Sequence, residues 1–265
     1  MSEPWLELCR LAVADVRCVL DELPTRAERE PVVGDGVGGD ETTAIDAAAE
    51  RVFIERLAEI PDYTLVSEEA GELVAGTGRP WLVLDPIDGS LNAKRGVPYF
   101  CISLAVADSP TMSGVTFGYL YDFGTGEEWT ARRGEGAWLN GMALGAVRPK
   151  ESIEILAFEA TLTSSIAEKA STVVGLAYRL RVMGSLALAL CNLAAGRIDA
   201  VCSLKAARSV DIAAAQLLVR EVGRAIDLPD RDAPFDEAPL DLVGHSRVVA
   251  AATPELSARL AAALA

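Results

Sequence analysis

An apolar run that ends on two carboxylates constrains this chain more than any other feature. Trp81-Leu82-Val83-Leu84 reads as a buried strand, and Asp85-Pro86-Ile87-Asp88-Gly89-Ser90 follows at once. Whatever buries the strand must therefore also receive two aspartates three residues apart. Burying them beside Leu84 and Ile87 without a cation is very costly, and their charges repel at close range. A hard divalent cation such as Mg²⁺ resolves both problems. Gly89 and Ser90 then offer backbone N–H groups where a phosphate can sit. The local reading is a metal-assisted phosphoryl-transfer or phosphate-hydrolysis site. The plain alternative is a polar turn after a core strand, for which Asp, Pro and Gly are ordinary residues.

The rest of the chain narrows the setting. Its 265 residues, 51% of them hydrophobic, allow one large domain or two coupled ones. A net charge of −15 argues against nucleic acid and anionic membranes as partners, and means that a phosphorylated substrate needs local cations. Five cysteines, an odd number with no CxxC, suggest free thiols in a reducing cytosol. Glu3, Glu7 and Arg10 stand where a signal peptide would be apolar, and no apolar run approaches the ~20 residues of a membrane span. The expectation is a soluble, cytoplasmic protein. His245 is the only histidine, in a strand-to-turn passage that suits a solvated or capping role, so hydrolysis falls to metals and carboxylates.

Periodicity sets the order of elements. Trp5, Leu8, Ala12, Val16 and Val19 mark a first helix that Pro24 ends. Residues 31–39 read as a glycine-rich mobile loop, and a second helix is expected from about Glu41 to Ile60 with Thr43 and Asp46 on one face. A short strand at 64–66 precedes Ser67-Glu68-Glu69. From Cys101 to Leu144 apolar and small residues alternate, as in an antiparallel meander. After about residue 150 the pattern becomes α/β. Strands are expected near 153–159, 179–182, 198–202, 240–243 and 247–251, and helices near 163–172, 185–195, 209–222 and 254–264.

Acidic residues recur in recognisable contexts: Asp46 on the second helix, Glu68 after a short strand, Asp85 and Asp88 on the turn, and Asp211 opening a near-apolar helix. Asp211 also suits a helix-start role, with Ser209 as an alternative cap. The segments Asp40-Glu41-Thr42-Thr43-Ala44-Ile45-Asp46, Ser67-Glu68-Glu69-Ala70, Asp85-Pro86-Ile87-Asp88-Gly89-Ser90 and Val210-Asp211-Ile212-Ala213-Ala214-Ala215 come in this order. In that order the chain resembles the inositol monophosphatase and fructose-1,6-bisphosphatase superfamily of Mg²⁺-dependent phosphatases. The resemblance extends over nearly the whole chain, through Gly134–Gly141 and Gly184–Ala200.

The resemblance implies an α/β (α+β) fold, a layered α-β-α-β-α sandwich of the sugar-phosphatase type. Residues 1–150 would supply most metal ligands, and 151–265 would supply Asp211 and the substrate wall. It implies two to three Mg²⁺ per site. Glu68, Asp85 and the Ile87 carbonyl would hold the first, Asp85, Asp88 and Asp211 the second, and Glu68 with the region of Asp40 a looser third. Ser90 and Asp46, supported by Thr43, would orient and deprotonate the attacking water. Asp88, Gly89, Ser90, Gly184 and Ser185 would contact substrate. A homodimer is expected.

Departures from the pattern bear on substrate and packing. Ser90 replaces the commoner threonine, Val210 a tryptophan and Ala215 a glycine, which puts a close helix approach in doubt. Leu204, followed by Lys205 and Arg208, stands where animal relatives carry an inositol-contacting glutamate. With Arg181, these cations suggest a more highly phosphorylated substrate and the archaeal branch that accepts fructose 1,6-bisphosphate and inositol 1-phosphate; they read equally as surface charges. The rivals are a 3′-phosphoadenosine 5′-phosphate or histidinol-phosphate phosphatase, and a regulatory relative with the fold but little turnover.

Overall fold

A computed structural model describes residues 3–37, 41–159, 162–244 and 246–265, so Asp40 and His245 lie outside the described residues. The helices are α1 (Glu3–Glu22), α2 (Arg26–Arg29), α3 (Ala44–Leu57), α4 (Ser90–Arg95), α5 (Thr163–Ala170), α6 (Leu186–Ala194), α7 (Ser209–Glu221) and α8 (Pro254–Leu264). A short hairpin pairs β1 (Val32–Asp35) with β2 (Glu41–Thr43). Eight strands then form the large sheet: β3 (Tyr63–Ser67), β4 (Gly71–Ala75), β5 (Trp81–Asp88), β6 (Cys101–Ala107), β7 (Val115–Asp122), β8 (Glu128–Arg132), β9 (Gly136–Leu139) and β10 (Met142–Ala143). Five more form the small sheet: β11 (Ile153–Glu159), β12 (Ala177–Arg181), β13 (Ala200–Ser203), β14 (Ala225–Asp227) and β15 (Val249–Ala251).

The large sheet runs β10-β9-β8-β7-β6-β5-β3-β4, with β3 and β5 its parallel neighbours and the rest antiparallel. Period-2 alternation divides its side chains between two cores. Leu82, Leu84, Ile102, Leu104, Phe117 and Tyr119 face α1 and α3, packing on Cys9, Ala12, Phe53 and Leu57. Val83, Cys101, Ala105 and Leu120 face the other way, onto α6 and α7. Those two helices are also covered by Ala157, Val201 and Ala250 of the small sheet, whose opposite face packs Leu156, Phe158 and Val249 on α8. The layers are therefore helix, sheet, helix, sheet, helix, as expected. α6 is apolar nearly all round because it lies between two sheets.

Several local expectations need correction. The glycine-rich stretch from residue 31 contains β1, and the second helix starts at Ala44 because residues 41–43 pair with β1. The aspartate turn is a bulged continuation of β5, whose pairing with β6 shifts register between Asp85 and Asp88. β4, α4 and β14 were not foreseen, and residues 240–243 form bends instead of a strand. The close helix approach survives Ala215, because the space comes from the strand side. A Cβ on Gly118 of β7 would lie 2.7 Å from the Ala214 carbonyl oxygen of α7.

Candidate active site

The site is assembled where β3 and β5 end against the N-termini of α3, α6 and α7. Thr43 caps α3, with its N–H donating to Asp46 Oδ2 at 3.3 Å and its hydroxyl to the same oxygen. Asp46 Oδ1 is buried without a hydrogen-bond partner. Burial pushes the Asp46 carboxyl above its usual range, against the opposing hydrogen bonds of Thr43 and Ser90. Ser90 opens α4 and donates to the Ile87 carbonyl at 2.9 Å. Gly89 precedes it at φ +94°, and a Cβ there would meet the Tyr99 carbonyl oxygen at 3.0 Å and that of Gly184 at 3.2 Å. Only glycine fits that crossing point.

Asp85 is 2% exposed and accepts the Ile87 N–H at 3.0 Å. Burial first, and then repulsion from Glu68, Asp88 and Asp211, pushes its carboxyl far up. Asp88 Oδ2 takes the Ser185 hydroxyl and the Ala187 N–H at 2.8 Å, both from the start of α6. Burial raises Asp88 to about 7 despite these bonds, with Asp211 adding repulsion. Glu68 is raised by burial, with Arg208 opposing. Asp211, in the first turn of α7, accepts the Arg208 N–H at 2.6 Å and so fixes the helix start. Asp211 thus stands near enough to Glu68 and Asp85 to raise their proton affinity, a cost that a cation relieves.

The cation that the structure itself supplies is Arg208. Its guanidinium, 8% exposed, pairs with Glu68 Oε1 and reaches Asp211 Oδ1 at 3.4 Å. Among the described residues no three carboxylates stand arranged around a single ion. The donor set nonetheless fits a hard divalent cation: several carboxylates gathered out of bulk solvent, an adjacent carbonyl and no soft ligand. Glu68, Asp85, the Ile87 carbonyl, Asp88 and Asp211 would hold it.

A pocket of about 130 Å³ beside these acids is lined by Asp88, Asp211, Gly184, Lys205 and Glu159, among others. A larger groove, about 730 Å³ between α1 and α3, contains none of the site residues. The structure brings Gly184 and Lys205 to the small pocket but not Arg181, which is exposed and donates to its neighbour's carbonyl, Leu180 O, at 2.9 Å. Arg208 is held by metal-candidate acids instead of lining the pocket, and Ser185 is buried with its hydroxyl donating to Asp88.

Two buried acids escaped the sequence reading. Glu50 accepts the Ala70 N–H at 2.9 Å and the Ser67 hydroxyl, steadying the segment that carries Glu68; its signal was the i,i+4 spacing from Asp46. Glu159 accepts the Gly184 N–H at 2.8 Å, and burial pushes it up to about 7 against nearby backbone N–H groups. Its signal was an apolar strand ending on an acid, the same pattern as Trp81–Asp85.

A model of the inositol monophosphatase family matches residues 6–265. The chain is 32% identical over 237 residues to the fructose-1,6-bisphosphatase/inositol-1-monophosphatase of Methanothermobacter thermautotrophicus, covering 85% of this chain and 84% of that one. It is 36% identical over 194 residues to the Nus factor SuhB of Escherichia coli K12, covering 69% and 70%. The crystal structure of an inositol monophosphatase–fructose 1,6-bisphosphatase superposes with a TM-score of 0.84 at 26% identity, covering 98% of this chain and 99% of that one. Among the described residues, no helix is long and apolar enough to cross a membrane.

Proposed function

The chain belongs to the inositol monophosphatase family of phosphatases, and on that premise we propose that it hydrolyses phosphate monoesters of sugars or polyols with Mg²⁺. Inositol 1-phosphate and fructose 1,6-bisphosphate are the substrates to which the relatives' names point. The observation that carries the reading is the gathering of Glu68, Asp85, Asp88 and Asp211 from three separate elements into one buried, mutually repelling group.

Bound at these acids, Mg²⁺ would supply Lewis-acid polarisation of the phosphate and neutralise its charge. The chain's own residues position the reactants. Asp46, raised by burial and with Oδ1 unpartnered, is the base that holds the attacking water and takes its proton. Thr43 and Ser90 orient it. The Gly89 and Ser90 N–H groups receive phosphate oxygens, and Lys205 offsets the negative charge of the chain at the pocket.

The test is phosphate release with Mg²⁺ from inositol 1-phosphate, fructose 1,6-bisphosphate and 3′-phosphoadenosine 5′-phosphate, with Asp46→Asn as control. Turnover of either sugar ester, lost in the control, is the expected result; turnover of the adenosine ester alone overturns the substrate class. A second reading, a regulatory relative with little turnover, rests on the identity to the Nus factor SuhB. It requires Mg²⁺ binding with no release from any of the three.

A further inference from the structure

One carboxylate of the pocket has no part in the chemistry described so far. Glu159 ends β11, is 5% exposed, and lines the same cavity as Asp88 and Asp211. Its Oε2 accepts the Gly184 N–H at 2.8 Å, while its Oε1 is shielded from solvent and has no hydrogen-bond partner. Leaving such an atom unsatisfied is costly, and buried polar atoms are satisfied by protein, water or ligand in the great majority of cases.

The other side-chain acceptors of this pocket are engaged or belong to the candidate metal ligands. Asp88 takes the Ser185 hydroxyl and the Ala187 N–H, Asp211 takes Arg208, and the Ser203 hydroxyl donates to the Lys205 carbonyl while accepting the Val248 N–H. Leu186, Ala206 and Ala207 line the pocket as well and bring no side-chain acceptor. A molecule whose phosphate lies against the Asp85–Asp88 acids therefore presents the rest of its body to Glu159.

We propose that Glu159 is a substrate-binding residue whose Oε1 accepts a hydrogen bond from a hydroxyl next to the phosphate ester, which makes hydroxylated esters the preferred class over aryl phosphates. The inference rests on the phosphatase reading above. A site built to hydrogen-bond a hydroxyl rejects analogues that lack it, because its buried polar group is then left unpaired. Gly184, whose N–H Glu159 accepts, also meets the Gly89 crossing point, which places Glu159 beside the phosphate end of the pocket.

The experiment compares wild type, Glu159→Gln and Glu159→Ala on inositol 1-phosphate and on p-nitrophenyl phosphate, with thermal melting as the check on folding. Glu159→Ala is expected to raise KM for inositol 1-phosphate about tenfold while both constants for the aryl ester stay within about twofold. Glu159→Gln keeps an oxygen for Gly184 and is expected to fall between. A similar loss on both esters, or no loss on either, overturns the proposal, the former by reducing Glu159 to a support for the Gly184 loop. If wild type releases phosphate from neither ester, the phosphatase reading fails. Calorimetric binding of inositol 1-phosphate then decides Glu159 alone: weaker binding by Glu159→Ala supports it, and equal affinity overturns it.

Discussion

β5 and β11 both carry apolar side chains toward the site and end on acids, Asp85 and Asp88 on one, Glu159 on the other. Their surroundings differ. Asp85 is raised by burial and by three neighbouring carboxylates, with Arg208 opposing, so it is positive charge that would lower it. Glu159 is raised by burial against backbone N–H groups of residues 183–185, so what it lacks is one more hydrogen-bond donor. The chemistry of a strand-end acid thus depends on which elements come to meet it: other acids at β5, a loop of amides at β11.

The largest effect that tests this contrast is at β5. Asp88→Asn is expected to lower phosphate release by more than about a hundredfold, the upper range seen for disturbing even an outer neighbour of a metal ligand, with the melting temperature retained. Full activity would remove Asp88 from the metal assignment. Ser185→Ala deprives Asp88 of one donor and should weaken Mg²⁺ activation about 10–100-fold, read from the Mg²⁺ concentration giving half-maximal rate.

Arg208→Gln tests the built-in cation. Breaking a buried pair costs about 3–5 kcal/mol, so the variant should melt well below wild type in chelator and recover more than wild type when Mg²⁺ is added. Equal recovery would show that Arg208 and Mg²⁺ do not share these acids.

A test by pH separates the two strand ends most cleanly. Asp88 and Glu159 both stand at about 7, above their ordinary values of 3.8 and 4.5. Between those limits the folded protein holds protons that the unfolded chain has released. The stabilising contribution is therefore complete below the ordinary values and is lost as pH rises through about 7. In chelator, melting temperature should fall between about pH 5 and about pH 7.5. Saturating Mg²⁺ should remove the Asp88 part and Glu159→Gln a further part, with Glu69, which burial also pushes up to about 7, keeping the rest. A slope unchanged by either would break the contrast.

Much of this was legible because alternation and helical spacing are local signals. The meander of β6 to β9 follows from alternating residues, and α7 and α8 lie at the expected residues. The acids at 46, 68, 85, 88 and 211 could be named from motif order, yet not what each touches. Ser185, Arg208 and Glu159 took their places from contacts spanning 97, 140 and 25 residues, which no window of sequence contains. β14 has only three residues and is held by pairing with β15, so it carries little periodicity to read.

The bonds that close the site also order events at the ribosome. Asp88 is fastened by Ser185 and Ala187, and Asn92 of α4 by the Met183 carbonyl at 2.7 Å, 91 residues further along. A chain emerging N-terminus first shows its repelling acids long before their partners exist. Domains are translated at about 5–20 residues per second, so Asp88 waits at least several seconds for α6. A cation able to neutralise these acids would reach the nascent sheet before α6 does.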